Sequence, residues 1–278
     1  MMSDLGSRHA SADRSPDPLH DFYEHYGWER GPSGHYRDAE AFVDLRPVTR
    51  GYRGSIARRI GRLVQPTAGP LLDLGCGAAP MPTGTDTAST RVCVDVTSAA
   101  LRGARGALRD RSTYVQADGC RLPFADNAFE RVLCAHVLYH LPRRRQLRAM
   151  MEIHRVLRPG GLAVIVYARE DTPPVRLVRA LRRRFEAEPV DPPLQRPGPP
   201  YYPIDLRQLC ETLGTRGIAV ETRASALFAA EVTRFAVPDN VLGRVALALA
   251  SAAERVAPRL VLPLANYPML MIRKDQPG

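Results

Sequence analysis

The sequence predicts an α/β fold carried by a mainly parallel sheet, and three observations support that expectation. An apolar run, Leu71-Leu72-Asp73-Leu74, ends in the turn Gly75-Cys76-Gly77. A second run, Arg91-Val92-Cys93-Val94-Asp95-Val96, closes on another acid 22 residues after the first (95 − 73), an interval that fits a strand, a crossover and a parallel strand. Further apolar runs at 114–117, 131–135 and 162–167 alternate with helically spaced segments, the pattern of repeated βαβ units.

Along the chain, residues 1–18 are polar, with Ser, Asp, Arg and Pro and no apolar period, and predict a disordered tail. Residues 19–66 hold Phe22, Tyr23, Tyr26, Trp28, Tyr36, Phe42 and Tyr52, with helical spacing from 39 to 64 broken at Pro47, and read as an N-terminal helical cap. Residues 67–278 form the main domain. After the strand at 162–167, the segment 170–203 departs from simple alternation. A basic helix at 175–186 precedes Pro192, Pro193, Pro197, Pro199 and Pro200, which keep the chain extended as a wall or lid requires. A helix at 204–213 and strands at 218–222 and 268–273 resume the sheet. Residues 224–267 exceed any hairpin and mark a second insertion. Within it, 241–250 with Ala252 and Ala253 reads as a core or lid helix rather than a membrane-interfacial one, because Arg244, Glu254 and Arg255 punctuate it.

Glycines at 75 and 77 let a ligand approach backbone that no Cβ shields. In dinucleotide sites such a turn sets a pyrophosphate at a helix N-terminus, but Asp73 would repel it, and Pro80 and Pro82 oppose an immediate long helix. S-adenosylmethionine (SAM) carries an ammonium and a sulfonium, so a carboxylate beside the turn favours it by charge. Asp95 is placed to accept from both ribose hydroxyls. Asp118, followed by Gly119 and Cys120, suits the adenine amino group and ring nitrogens. A tight strand-to-loop turn with no ligand is the plain alternative.

Two later motifs, Leu122-Pro123-Phe124-Ala125-Asp126-Asn127-Ala128-Phe129 and Leu157-Arg158-Pro159-Gly160-Gly161, complete a resemblance to class I SAM-dependent methyltransferases of the small-molecule type, over about residues 70–168. The resemblance implies a Rossmann-like three-layer sandwich with a seven-stranded, mostly parallel sheet whose last strand is antiparallel. It implies SAM as cofactor, with Asp73, Gly75, Cys76 and Gly77 around the methionine part, Asp95 and Val96 at the ribose, Asp118, Gly119 and Cys120 at the adenine, and His136 just past the fourth strand. It also implies that the cap closes the SAM pocket and that the insertions at 170–203 and 224–267 form the acceptor side. Tyr36 and Tyr139 are the residues expected on the acceptor. Where the family commonly has a full helix, residues 77–91 carry Pro80, Pro82 and Gly84, so the first crossover is expected to be short or irregular.

Methyl transfer asks chiefly for alignment of acceptor, methyl carbon and sulfur in a site closed to water. A base is optional for an amine and most needed for an unactivated hydroxyl. His136 and His140, at the tip of the fourth strand and just beyond it, are the candidate bases; contact with SAM or local packing is the alternative for each. His154 reads as structural, and no histidine follows it.

Composition narrows the partners. The formal charge of +10 rests on 39 Lys and Arg, of which Lys274 is the only lysine, and with abundant Ala, Pro and Gly this matches a GC-rich genome. Arg143-Arg144-Arg145 and Arg182-Arg183-Arg184 read as solvated helix faces, since no aromatic residues interleave with them. The (D/N)PP(Y/F) turn of amino-methylating nucleic-acid enzymes is absent after the fourth strand. Nucleic acid is therefore not the expected partner. Apart from His136 and His140 at i, i+4, no metal-ligand spacing occurs, and no metal is expected. Five scattered cysteines, no charged-then-apolar leader and no long apolar run point to a cytoplasmic protein without a membrane span. The expected activity is SAM-dependent transfer of methyl to an oxygen or nitrogen of a small molecule in bacterial secondary metabolism. An RNA-modifying methyltransferase and a SAM-binding protein without turnover are the alternatives, and the oligomeric state has no signature here.

Overall fold

The structure is a computed structural model and describes residues 17–66, 68–83, 91–185 and 198–276. The tail expected before residue 17, most of the first crossover including Gly84, and Pro192, Pro193 and Pro197 lie outside the described residues.

Asp17 caps the short helix α1 (Pro18–Phe22), accepting from the Leu19 N–H at 3.1 Å. A π-helical turn, Tyr23–Gly27, leads to α2 (Arg37–Phe42), and a 3-10 turn at Pro47–Thr49 starts α3 (Arg50–Val64). The sheet and its crossovers follow as β1 (Leu71–Leu74), β2 (Arg91–Asp95), α4 (Ser98–Leu108), β3 (Ser112–Gln116), β4 (Phe129–Ala135), α5 (Arg143–Val156) and β5 (Leu157–Val166). The remainder comprises α6 (Pro173–Phe185), α7 (Leu206–Gly214), β6 (Val220–Ala226), α8 (Ala230–Ala236), α9 (Val241–Val256) and β7 (Tyr267–Arg273).

The seven strands run in the order β3-β2-β1-β4-β5-β7-β6. Pairs among β1 to β5 are parallel, and β7 lies antiparallel to both neighbours. This is the expected seven-stranded sheet with an antiparallel last strand. Strand order reverses between β1 and β4, so a crevice opens beyond their carboxyl ends, where open α/β sheets hold ligands.

Alternation along buried strands divides the core into two layers. Leu72, Val132 and Ile165 face α5 through Met150 and Ile153. Leu71, Leu133 and Val164 face α3 through Ile60 and Val64. Helix α3 is thus a layer of the sandwich, and packing runs continuously across the boundary expected at residue 66. The motif Leu157-Arg158-Pro159-Gly160-Gly161 is the bulged start of β5 rather than a turn before it. Phe129 pairs with Leu157, the register shifts before Arg131, and Gly160 takes φ +75° to absorb the extra residues. Among the described residues, no helix is long and apolar enough to cross a membrane.

Candidate functional site

Strand β1 delivers the chain into the turn at Gly75 (φ +68°) and Gly77 (φ +61°), both in the left-handed region that favours glycine. A Cβ on Gly75 would collide with Val137, and one on Gly77 would lie 2.8 Å from the Trp28 ring. Asp95, at the end of β2, orders this turn: Oδ2 accepts from Gly77 N–H at 3.1 Å, and Oδ1 accepts from the Thr97 N–H at 3.0 Å and hydroxyl at 2.9 Å. Burial raises its pKa, and these donors pull it back. Its carboxylate forms no ion pair among the described residues, and Oδ2 retains acceptor capacity.

Asp73 behaves otherwise. It is buried against Arg91, whose Nε donates to Oδ2 at 3.2 Å and whose second contact is closer still. Arg91 also donates to the Met81 carbonyl at 2.9 Å. The charge expected to meet a cationic ligand is therefore neutralised by a guanidinium from β2, and Asp73 braces the start of the first crossover. Asp118 is likewise paired, with Arg145 at 2.7 Å, while its Oδ1 accepts from Cys120 N–H at 2.9 Å.

All of these acids open on one cavity of about 1090 Å³, large enough for a nucleoside-sized ligand and a small partner together. Asp73, Gly75, Cys76, Gly77, Asp95, Val96, Asp118, Gly119, His136, Tyr139 and His140 line it. Cys120 does not: its thiol turns inward toward the Arg145 carbonyl at 3.4 Å. Tyr36 does not reach it either. A bridge to Arg30 holds Tyr36 extended before α2, and its ring lies between the Arg30 guanidinium (4.2 Å) and the edge of Trp28 (5.8 Å), over a separate small groove. The cap reaches the cavity instead through Tyr23, stacked on Trp28 at 5.1 Å, and through Asp38.

His136 adopts φ +63°, an uncommon conformation for a side-chain-bearing residue, held by its N–H on the Val166 carbonyl at 3.0 Å. Its ring is open to the cavity yet enclosed by the chain, edge-on to Tyr267 at 5.0 Å. Burial, with His140 nearby, pushes its pKa down to about 4, so the imidazole is neutral at pH 7. His140 Nδ1 donates to the Pro200 carbonyl at 2.8 Å, which leaves Nε2 as acceptor. Burial lowers its pKa also.

Three wall residues carry no signal in the sequence. Asp38, in the first turn of α2, accepts from the Tyr23 hydroxyl at 3.1 Å, and burial raises its pKa to about 6. Glu170, beyond β5, is also raised, by burial and by Glu231 against the pull of Arg179. Arg53 on α3 reaches the wall with its Nε buried and unpartnered among the described residues. The cavity therefore has two ends, a glycine-turn end at β1, β2 and β3, and an end walled by Glu170, Tyr201, Phe228 and Asn266.

A SAM molecule fits the first end: the Gly75–Gly77 turn lines the cavity, and Asp95 Oδ2 has acceptor capacity left beside it. Residues 72–165 match a family described as a methyltransferase domain. An uncharacterized methyltransferase of Mycobacterium avium is 50% identical over 58 residues, 21% of this chain and 22% of that protein. Methyltransferase GfsG of Streptomyces halstedii is 30% identical over 148 residues, 51% of this chain and 49% of that one. The chain thus spans no more than about half the length of these relatives. Among solved structures, the cyclase SpnF is similar in fold at a TM-score of 0.51, with 21% identity and 81% of each chain covered. Residues 72–165 thus form a methyltransferase domain by family match, set in a sheet whose order is that of class I SAM-dependent methyltransferases, which take S-adenosylmethionine as cofactor.

Proposed function

We propose that the protein transfers a methyl group from SAM to an oxygen or nitrogen of a small-molecule acceptor, in the cytoplasm and in bacterial secondary metabolism. The observation that carries this reading is the continuity of one cavity from the glycine turn to the Glu170 and Tyr201 end, so that donor and acceptor share a single enclosed space. When bound, SAM supplies an electrophilic methyl group on a sulfonium. Asp95 accepts from the ribose hydroxyls, Asp118 and Gly119 meet the adenine, and the Gly75–Gly77 backbone meets the methionine part. Tyr23 and Trp28 of the cap exclude water.

For the proton of the acceptor, Asp38 is better poised than His136. A base works best with a pKa near the working pH, and Asp38 at about 6 is closer than His136 at about 4. His140 Nε2 remains a hydrogen-bond acceptor for the substrate.

The basic charge supports a small acceptor over RNA, because many arginines serve the fold. Arg46, Arg155, Arg169 and Arg234 each donate to backbone carbonyls of remote segments. SpnF, named as a cyclase, has the same fold, so turnover must be measured as methyl transfer. Titration calorimetry of the purified chain with SAM tests the reading: Asp95→Ala abolishes binding, and unchanged affinity in that variant overturns the assignment.

A further inference from the structure

Helix α9 buries Leu247 and Ala250 in the core together with two polar side chains. Ser251 Oγ meets Ser55 Oγ of α3 at 2.7 Å, and the buried Glu254 pairs with Arg59 at 2.8 Å and accepts from Leu227 N–H at 2.7 Å. Its outer side carries Leu242, Val245, Leu249 and Val256, exposed by 73, 51, 66 and 85%. Spacings of 3, 4 and 7 put these four on one stripe along the helix. Leu260, 80% exposed, follows the helix, and Phe235, which also lines the cavity, precedes it. Four large apolar side chains in line at solvent, on the side away from the core, call for a covering surface.

The charges beside the stripe identify that surface. Arg244 and Arg255 are exposed on one flank, neither in an ion pair among the described residues. A second copy paired antiparallel about the middle of α9 would set Arg244 against Arg255 at both ends, two like-charge contacts with no acid between them. An anionic bilayer instead accepts both arginines at its headgroups while the stripe enters the acyl boundary.

We propose that the outer face of α9 docks the protein on an anionic lipid surface, with the helix lying in the interfacial plane. The full chain is sedimented with phosphatidylglycerol–phosphatidylcholine vesicles and with phosphatidylcholine vesicles alone, and its mass is measured in parallel by sedimentation equilibrium. A monomer that partitions onto the anionic vesicles is expected. Leu242→Asp with Leu249→Asp, both at solvent, leaves the circular dichroism unchanged and lowers partitioning at least tenfold. Arg244→Gln weakens binding to the anionic vesicles about fivefold and leaves neutral vesicles unaffected. No partitioning of the wild-type chain, or equal partitioning onto both vesicles, overturns the proposal. A dimer that the double leucine variant dissociates, without vesicle binding, overturns it in favour of a second copy.

Discussion

Replacing Asp38 by asparagine is expected to stabilise the fold at neutral pH while impairing turnover. The carboxyl rises from its ordinary 3.8 to about 6 in the folded chain, chiefly through burial, so folding favours its protonated form. The sign follows by linkage. A group raised on folding contributes nothing adverse well below pH 3.8; the cost builds up between pH 3.8 and 6, where the unfolded chain ionises first, and is constant above that. At about 1.4 kcal/mol per pKa unit, the upshift of roughly two units makes ionised Asp38 cost ~3 kcal/mol at pH 7.5. The asparagine amide keeps an oxygen that accepts from the Tyr23 hydroxyl, so the substitution removes charge with little loss of bonding. Urea unfolding at pH 4.5 and 7.5 reads the effect as a difference between wild type and variant, to which titrations elsewhere contribute equally. A gain of about 1 M in midpoint is expected at pH 7.5 for an m-value of about 3 kcal/mol/M, and about a third of that at pH 4.5. On a hydroxyl acceptor the same variant loses about 10²- to 10⁴-fold in kcat. The acid limb of the rate profile near pH 6 disappears with it, while Tyr23, Tyr139 and Tyr267, the groups that face Asp38, stay protonated. A variant destabilised equally at both pH values refutes the argument.

Gly75→Ala forces a Cβ into Val137 at a positive φ, and a loss of about 1–3 kcal/mol is expected in chemical unfolding, together with loss of SAM binding in calorimetry. Glu254→Ala leaves Arg59 and the Tyr52 hydroxyl inward without their carboxylate; breaking such a buried pair costs about 3–5 kcal/mol, read as a lower melting temperature that Glu254→Gln only partly reproduces.

The parts of the site legible in the sequence are those fixed locally. Gly75, Gly77 and Asp95 can be read because a strand end, a turn and a strand end lie within 23 residues (73 to 95), and the backbone alone decides what they present. The parts that escape depend on how distant segments fold over that edge. Asp38 is an ordinary acid in a short polar helix until α2 lies over the cavity, and Glu170 gains its character from Arg179 and Glu231 on α6 and α8. Tyr36 is misplaced for the same reason. The bridge to Arg30 turns its ring over a separate groove, a contact the periodicity does not encode. Asp73 illustrates a different limit: a strand-end acid reads the same whether it meets a ligand or, as here, the first residue of the next strand.

The distribution of charge along the cavity bears on which step the protein assists. At the glycine-turn end, Asp73 and Asp118 are neutralised by Arg91 and Arg145, and Asp95 rests on N–H and hydroxyl donors. That end is suited to hold a ligand by hydrogen bonds rather than by net charge. Elsewhere on the wall, Asp38 and Glu170 form no ion pair among the described residues, and both have raised pKa values. On the proposed reading, positive charge begins on the donor sulfur and ends as a proton released by the acceptor. A carboxylate beside the acceptor favours the product side of that displacement. It contributes little to donor binding in the ground state, which is the arrangement that raises kcat rather than affinity.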